Sequence, residues 1–121
     1  MTDNEITHEI IDGAIEVHRL LGPGLLESAY EECLAKELTL RKSIVERQKP
    51  VAVVYKDVKL ECGYRIHLLV ESRVVVELKS IESFAAEAII LTYLRLCGRR
   101  LGLLINFNVN VLSDGIKRYI I

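Results

Sequence analysis

Tyr64-Arg-Ile-His-Leu-Leu-Val70 and Val74-Val-Val-Glu-Leu-Lys79 are two runs rich in β-branched residues, joined by the short polar segment Glu71-Ser-Arg73. β-branched residues favour strands because they pack well on a pleated surface. A connection of this length suits a hairpin. The two runs therefore predict an antiparallel pair of strands in the middle of the chain.

The residues before this pair extend the pattern. Val51-Ala-Val-Val-Tyr55 is a further β-branched run, and the Lys56-Asp57 pair that follows it is typical of a turn. A short strand over Val58 to Glu61 fits between this turn and the run that begins at Tyr64. Residues 44–79 are therefore predicted to form an antiparallel meander of four strands.

Helical periodicity precedes the meander. Apolar residues three and four apart predict a first helix that begins after the capping candidates Asp3 or Asn4 and stops at Leu21-Gly-Pro-Gly24. A second helix is predicted from about Leu25 to Leu40, so the two helices form a hairpin. The apolar positions of the first helix are Ile6, Ile10, Ala14, Val17 and Leu21.

Helical spacing returns after the meander and predicts a third helix that ends near Cys97-Gly98, where glycine is a common terminator. Its face carries Phe84, Ala88, Leu91, Thr92 and Arg95. A buried strand over Leu101 to Phe107 and a last strand over Ile116 to Ile121 follow. We therefore expect one α/β domain over residues 1–121, with a mixed central sheet flanked by helices in the order ααββββαββ.

Composition narrows the class of protein. The chain has 121 residues, of which 50% are hydrophobic, with 16 basic and 17 acidic side chains, so it is too apolar and too nearly neutral to be disordered. No window holds the roughly 18 uncharged apolar residues of a membrane span, and we expect a cytoplasmic protein without a membrane partner. Eight acidic side chains but one basic side chain lie in residues 1–32. The rest of the chain carries more basic than acidic side chains, which permits a polyanionic partner without requiring one.

Glu77 and Lys79 are the first candidates for chemistry. Side chains two apart on a strand project from the same face, roughly 6 to 7 Å apart. A carboxylate can hold a hard divalent cation while a neighbouring lysine orients water and stabilises phosphate charge, so the pair suits metal-assisted phosphodiester hydrolysis. The alternative is an ordinary charged pair on the wet face of a strand.

Five short motifs follow one another along the chain. Gly24-Leu-Leu-Glu-Ser-Ala-Tyr30 fits the pattern G-x-x-E-x-x-Y, and the others are residues 63–70, 76–79, 92–94 and 102–107. Together they resemble the GxxExxY family, a branch of the PD-(D/E)XK nuclease superfamily. The resemblance implies a core in which a helix packs on a strand meander carrying the metal ligands, followed by a further helix and strand.

The resemblance also implies the roles of individual residues. Glu27 becomes the helical carboxylate of the site, Glu77 a metal ligand and Lys79 the catalytic lysine, with Mg²⁺ as the implied cofactor. Tyr30 lies on the same helical face as Glu27 and is expected to orient its carboxylate. We also expect Glu77 and Lys79 to share the sheet face covered by the helix that bears Glu27.

His67 departs from the family pattern, which usually shows Asp at this position as the central metal ligand. Imidazole suits Mn²⁺ or Zn²⁺ better than Mg²⁺, so His67, Glu77 and Glu27 together suggest a metal site of altered preference. The alternative is a degenerate site that retains only the fold.

Arg95, Arg99 and Arg100 are candidate contacts for nucleic acid. Arg95 and Arg99 are one helical turn apart and can meet phosphates together, although a solvated helix end is the plainer interpretation. No motif for reading bases is present, so contacts to DNA or RNA are expected to the backbone. Three hypotheses remain open: a metal-dependent nuclease acting on DNA or RNA, an inactive relative that binds nucleic acid or protein, and a plain interaction domain in a homodimer.

Overall fold

A computed structural model of the chain describes residues 1–81 and 87–121, with side chains for 1–81 and 89–121. Within these ranges there are three helices and five strands. The helices are α1 (Asp3–Leu21), α2 (Glu27–Leu40) and α3 (Glu87–Cys97). The strands are β1 (Val45–Tyr55), β2 (Val58–Val70), β3 (Val74–Lys79), β4 (Leu101–Asn106) and β5 (Ile116–Ile120), with a 3₁₀ turn (Leu112–Gly115) before β5. The predicted α/β class is confirmed.

The five strands form one sheet in chain order, β1 to β5. Neighbouring strands are antiparallel except β3 and β4, which are parallel. Parallel neighbours need a crossover connection, and α3 lies in the one between β3 and β4. The predicted mixed sheet is therefore confirmed.

The meander has three strands where four were expected. β1 already begins at Val45, and the segment from Val58 to Glu61 belongs to the same strand as Tyr64 to Val70. The register between β1 and β2 shifts at Val51/Ala52, and Gly63 has a φ of 78°. The glycine thus marks an irregularity inside a continuous strand, because a bulge absorbs extra residues without ending the pairing.

The start of α1 is capped by Thr2 rather than by Asp3 or Asn4. The Thr2 hydroxyl accepts from the Glu5 amide at 3.1 Å, and the Glu5 carboxylate accepts from the Thr2 amide at 3.2 Å. This reciprocal pair satisfies two amides that have no partner inside the helix. The helix ends at Leu21, and the next residue, Gly22, has a φ of 70° that suits glycine, as the predicted stop requires.

The sheet is covered on both faces. One face packs against α1 and α2 through side chains that include Leu68, Val74, Val76 and Leu78. The other face packs against α3 through Val51, Ile66, Leu69, Val75 and Leu104. Burial on both sides explains why β3 and β4 are almost continuously apolar rather than alternating.

The third predicted helix lies only partly within the described residues. Its expected start near Phe84 lies outside them, and the described helix runs over Glu87–Cys97. Its predicted end is confirmed, since Gly98 follows with a φ of 68°. None of the helices in the described ranges combines the length and apolar character needed to cross a lipid bilayer.

Candidate active site

The site lies where β2 and β3 separate. Their ladder pairs Leu68 with Val76 and continues to Val70, but it stops short of His67 and Glu77. Beyond it, the Leu78 amide donates to Nδ1 of His67 at 3.0 Å. A side chain therefore takes the place of a backbone carbonyl at this point, and His67 and Glu77 become neighbours.

Glu77 is the buried carboxyl of the site, with 2% of its surface exposed. Its Oε1 lies 3.1 Å from Nδ1 of His67, and Oε2 has no hydrogen-bond partner among the described residues. Burial raises the pKa of Glu77 to about 7; the charge of Lys79 opposes this shift, and those of Glu27 and Glu31 add to it. At neutral pH the carboxyl is therefore divided between its protonated and ionised forms.

His67 is held in its neutral form. Burial lowers the pKa of His67, against the opposing pull of Glu31 and Glu27. The distance to Glu77 would allow an ion pair, but Nδ1 already accepts from the Leu78 amide, so its lone pair is in use and Nε2 carries the proton. In this arrangement the ring offers no free lone pair to a metal ion, contrary to the ligand role expected for His67.

Glu27 is the first residue of α2 and lies beside the end of β3. The Ser80 hydroxyl, one residue after Lys79, donates to the Leu25 carbonyl at 2.6 Å. Glu27 and Ser80 line one surface depression. The charge of Glu27 acts on both His67 and Glu77. The structure thus brings Glu27, His67, Glu77 and Lys79 into one electrostatic cluster.

The expectation that Glu77 and Lys79 share the sheet face under α2 is wrong. Residues 74, 76 and 78 of β3 pack toward α1 and α2. Glu77 pairs with Leu104, whose side chain packs with α3 on the opposite face. Because side chains alternate along a strand, Glu77 and Lys79 project on the α3 side, and Glu27 approaches them around the end of the sheet.

Tyr30 does not orient Glu27 directly, contrary to expectation. Its hydroxyl donates to the Gly22 carbonyl at 2.5 Å and accepts from the Leu25 amide at 3.1 Å. Its ring is fully buried and stacks on Phe107 with centroids 4.3 Å apart. Tyr30 therefore holds the loop before α2 and positions Glu27 only through the backbone.

Glu31 is a site residue that the sequence analysis missed. It is 5% exposed, and its carboxylate accepts from Arg47 at 3.0 Å and from Gln48 at 2.5 Å. Gln48 has a φ of 51° and is skipped in the β1–β2 ladder, opposite His67. The feature of the sequence that indicates Glu31 is its spacing of four residues from Glu27, which places both carboxylates on one helical face.

Asn106 is a second residue that the sequence analysis did not single out. Its side chain donates to the Ile81 carbonyl at 2.8 Å and accepts from the Ile81 amide at 3.2 Å. The Phe107 amide donates to the Lys79 carbonyl at 2.9 Å. These bonds fasten the end of β3, and with it Lys79, to the end of β4.

The arginines are not near this cluster. Arg100 precedes β4 and lines a cavity with Arg73 and Arg118, while Arg99 donates to the Cys97 carbonyl. Leu101 pairs with Val74, at the start of β3, whereas Lys79 is at its end. Five residues of strand, roughly 16 Å, separate the two ends. Arg95, in the last turn of α3, belongs to the same distant end, so these arginines lie away from Glu77 and Lys79.

The donor set suits a hard divalent cation only in part. Among the described residues, no group of three or more His, Cys, Asp and Glu is arranged to hold a metal ion. However, Glu77 Oε2 is buried with no hydrogen-bond partner among the described residues. Burial, together with the charges of Glu27 and Glu31, raises the Glu77 pKa, and the positive charge of a bound cation would oppose this shift. Mg²⁺ is commonly held by one or two carboxylates together with water and substrate phosphate. Glu77 and Glu27 supply ligands of this chemical type, and His67 as oriented does not.

Comparison with known proteins yields one match. The family model described as the PD-(D/E)XK nuclease superfamily matches residues 4–119. No curated protein and no solved structure matches the chain. The matched range includes all three described helices and all five described strands except for Asp3, the first residue of α1, and Ile120, the last residue of β5.

Proposed function

Because the chain belongs to the PD-(D/E)XK nuclease superfamily, we propose that it is a metal-dependent nuclease-like protein that hydrolyses phosphodiester bonds of DNA or RNA. The observation that supports this proposal most directly is the buried Glu77 carboxyl. Its Oε2 atom has no hydrogen-bond partner among the described residues, and the charges of Lys79 and Glu27 act on its pKa. The ordered motifs from Gly24-x-x-Glu27-x-x-Tyr30 onward support placing the chain in the GxxExxY branch.

Glu77 and Glu27 are the proposed cation ligands. When bound, a divalent cation would supply charge stabilisation to the phosphate and help to form a nucleophile from water. Glu77 must release its proton first, and Lys79 favours that release because its charge lowers the Glu77 pKa. Lys79 projects from the same side of β3 as Glu77, so its ammonium is suited to hold an attacking water or a phosphate oxygen.

A cleavage assay with matched variants tests the proposal. Single- and double-stranded DNA and RNA are incubated with the parent protein and Mg²⁺, Mn²⁺ or Zn²⁺. We expect cleavage that requires the metal and that Glu77→Gln and Lys79→Ala each reduce at least about a hundredfold, as expected for loss of a principal charge-stabilising group. Glu32→Gln, at an exposed position of α2, is the control and should cleave like the parent.

Two results would contradict the proposal. Cleavage that survives Glu77→Gln unchanged would come from another site or a contaminant. Absence of cleavage by the folded parent and by His67→Asp, with every metal and substrate, would exclude hydrolysis.

Binding without hydrolysis is the second candidate function. The specific observation in its favour is His67, where the family resemblance implies Asp, with Nδ1 engaged by Leu78 and turned toward Glu77. A neutral imidazole beside a partly protonated carboxyl attracts a cation less than two carboxylates do. In this case the protein would bind nucleic acid in the presence or absence of metal, and the parent would not cleave it.

A further inference from the structure

The hairpin of β1 and β2 extends past the rest of the sheet. β2 pairs with β3 only from Leu68 to Val70, and the part of β2 before Leu68 pairs with β1 alone. Residues 49–66 therefore form a two-stranded hairpin, which we call the ribbon. A two-stranded hairpin alone is marginally stable in water, so it needs support at its base.

That support comes from α3. Val51 and Ile66, at the base of the ribbon, are buried in the same cluster as Tyr93 and Leu94. The Tyr64 ring meets the Tyr93 ring edge-on, with centroids 6.2 Å apart. The base of the ribbon is thus fixed to the body of the protein, and its direction is defined.

The ribbon leaves the sheet beside the candidate active site. β2 is antiparallel to β3, so moving back along β2 from Leu68 follows the direction in which β3 runs from Val76 to Lys79. The eight residue steps from Ile66 back to Val58 span up to roughly 26 Å. The ribbon therefore leaves the sheet at the end that carries Glu77 and Lys79, whereas Arg100 lies at the opposite end.

The surface of the ribbon is basic. Lys56, Lys59 and Arg65 are exposed, and within the described part of the chain none of them forms an ion pair. The ribbon carries two acidic side chains, Asp57 and Glu61. Three available cations on a projecting element are complementary to a row of phosphates.

The outer half of the ribbon also exposes apolar side chains. Tyr55 and Val58, which face each other across the hairpin, are 60% and 55% exposed, and Val54 is 65% exposed. Lys56 Nζ lies 5.5 Å from the centre of the Tyr55 ring. Apolar and aromatic groups beside basic ones occur where proteins insert into a nucleic-acid groove.

On the basis of the proposed function, we infer that the ribbon is a DNA-gripping arm, with Lys56, Lys59 and Arg65 contacting phosphates of a duplex whose cleaved strand lies at Glu77. The major groove of B-form DNA admits a two-stranded ribbon, whereas the deep, narrow major groove of an RNA duplex does not. The arm therefore selects duplex DNA over duplex RNA.

Two triple variants with equal change in charge test the inference. Lys56→Ala, Lys59→Ala and Arg65→Ala remove the proposed contacts, and Arg73→Ala, Arg100→Ala and Arg118→Ala remove three cations that line one depression at the opposite end. Both are made in a Glu77→Gln background, so that affinity is measured without cleavage. Fluorescence anisotropy with duplex DNA and duplex RNA, over about 50 to 200 mM salt, gives the affinity and its salt slope.

We expect the ribbon variant to lose at least about tenfold in DNA affinity and to lower the salt slope by about 1 for each lost contact. The opposite-end variant should bind DNA like the parent, and the parent should bind RNA more weakly. Circular dichroism and thermal unfolding confirm that both variants fold.

Equal affinity of the ribbon variant and the parent would overturn the inference, as would an equal loss in the opposite-end variant. Loss of DNA affinity in a Tyr55→Ser and Val58→Ser variant, with the cation variant unchanged, would also overturn the inference, because apolar contacts and not phosphate contacts would then provide the binding. Cleavage is measured separately with protein that retains Glu77. Binding that depends on the ribbon, without any cleavage, would support the arm and contradict the nuclease proposal. Cleavage that the ribbon substitutions do not change would support the nuclease proposal and contradict the arm.

Discussion

The Nδ1 atom of His67 lies 3.1 Å from Oε1 of Glu77, and the same nitrogen accepts a hydrogen bond from the Leu78 amide. Burial lowers the pKa of His67 and raises that of Glu77 to about 7. At neutral pH His67 is therefore uncharged, and Glu77 is divided between its protonated and ionised forms, so the two side chains do not form a stable ion pair. A cation that binds at Glu77 must first displace the proton on its carboxyl.

Replacing His67 by aspartate should increase cleavage with Mg²⁺. The variant places a hard anionic oxygen beside Glu77, which Mg²⁺ prefers to a ring nitrogen. We expect a gain of at least about tenfold, since even partners outside the ligand shell change metal affinity by that factor. Initial rates on DNA and RNA with Mg²⁺, Mn²⁺ and Zn²⁺ measure it.

The companion variants define what this gain means. His67→Asn also removes the ring but adds no charge, so it should not cleave better. Glu77→Gln in the His67→Asp background should abolish the gain. A preference of the parent for Mn²⁺ or Zn²⁺ that His67→Asp shifts to Mg²⁺ would show that the native site uses the histidine.

Glu77 should make the metal-free protein less stable as pH rises from 4.5 to about 7. In this window the folded protein retains the Glu77 proton, while the unfolded chain, with an ordinary pKa of 4.5, has released it. The difference amounts to about 3 kcal/mol. Glu77→Gln cannot ionise, so its stability relative to the parent should increase by up to this amount across the window.

Comparison with Glu77→Gln is needed because His67 acts in the opposite direction. Its pKa is lowered from 6.5, so it contributes stability that is present above 6.5 and is lost as the pH falls. Chemical denaturation at several pH values, with the exposed Glu61→Gln as a control, separates the two groups. If the difference in free energy of unfolding between the parent and Glu77→Gln does not vary with pH, the raised pKa of Glu77 is refuted.

Glu31→Ala should destabilise the fold by about 2 kcal/mol. The substitution leaves Arg47 and Gln48 without their buried acceptor, but about half of the Arg47 side chain is exposed, so solvent limits the loss. Glu32→Ala, at the adjacent exposed position, is the matched control and should change stability by less than about 0.5 kcal/mol. Urea denaturation compares the two; equal effects would mean that the contacts of Glu31 contribute nothing specific.

Tyr30→Phe should cost about 1 to 2 kcal/mol while leaving the core packing in place. The ring can still stack on Phe107, but the Gly22 carbonyl and the Leu25 amide lose the hydroxyl that bridges them. Tyr55→Phe, at an exposed ring, should be neutral. Thermal unfolding measures both, and an unchanged melting temperature for Tyr30→Phe would show that the loop does not depend on this bond.

The sequence alone determined most of the secondary structure and the central pair of charged residues. Periodicity located α1, α2, β3 and β4, because burial of an apolar face repeats every two residues in a strand and every 3.6 in a helix. It also placed Glu77 and Lys79 on one side of one strand, because side chains alternate between the two sides along this six-residue strand. The motif series then identified the superfamily.

Only the tertiary structure decided which groups meet. The β2–β3 ladder ends at Leu68, and this long-range register makes His67 the neighbour of Glu77 and makes the ribbon leave the sheet beside the site. The parallel pairing of β3 with β4 puts Arg100 at the far end of the sheet, although it is a basic residue like those of the ribbon. Pairing register and helix packing depend on contacts between residues distant in the chain, so local patterns cannot specify them.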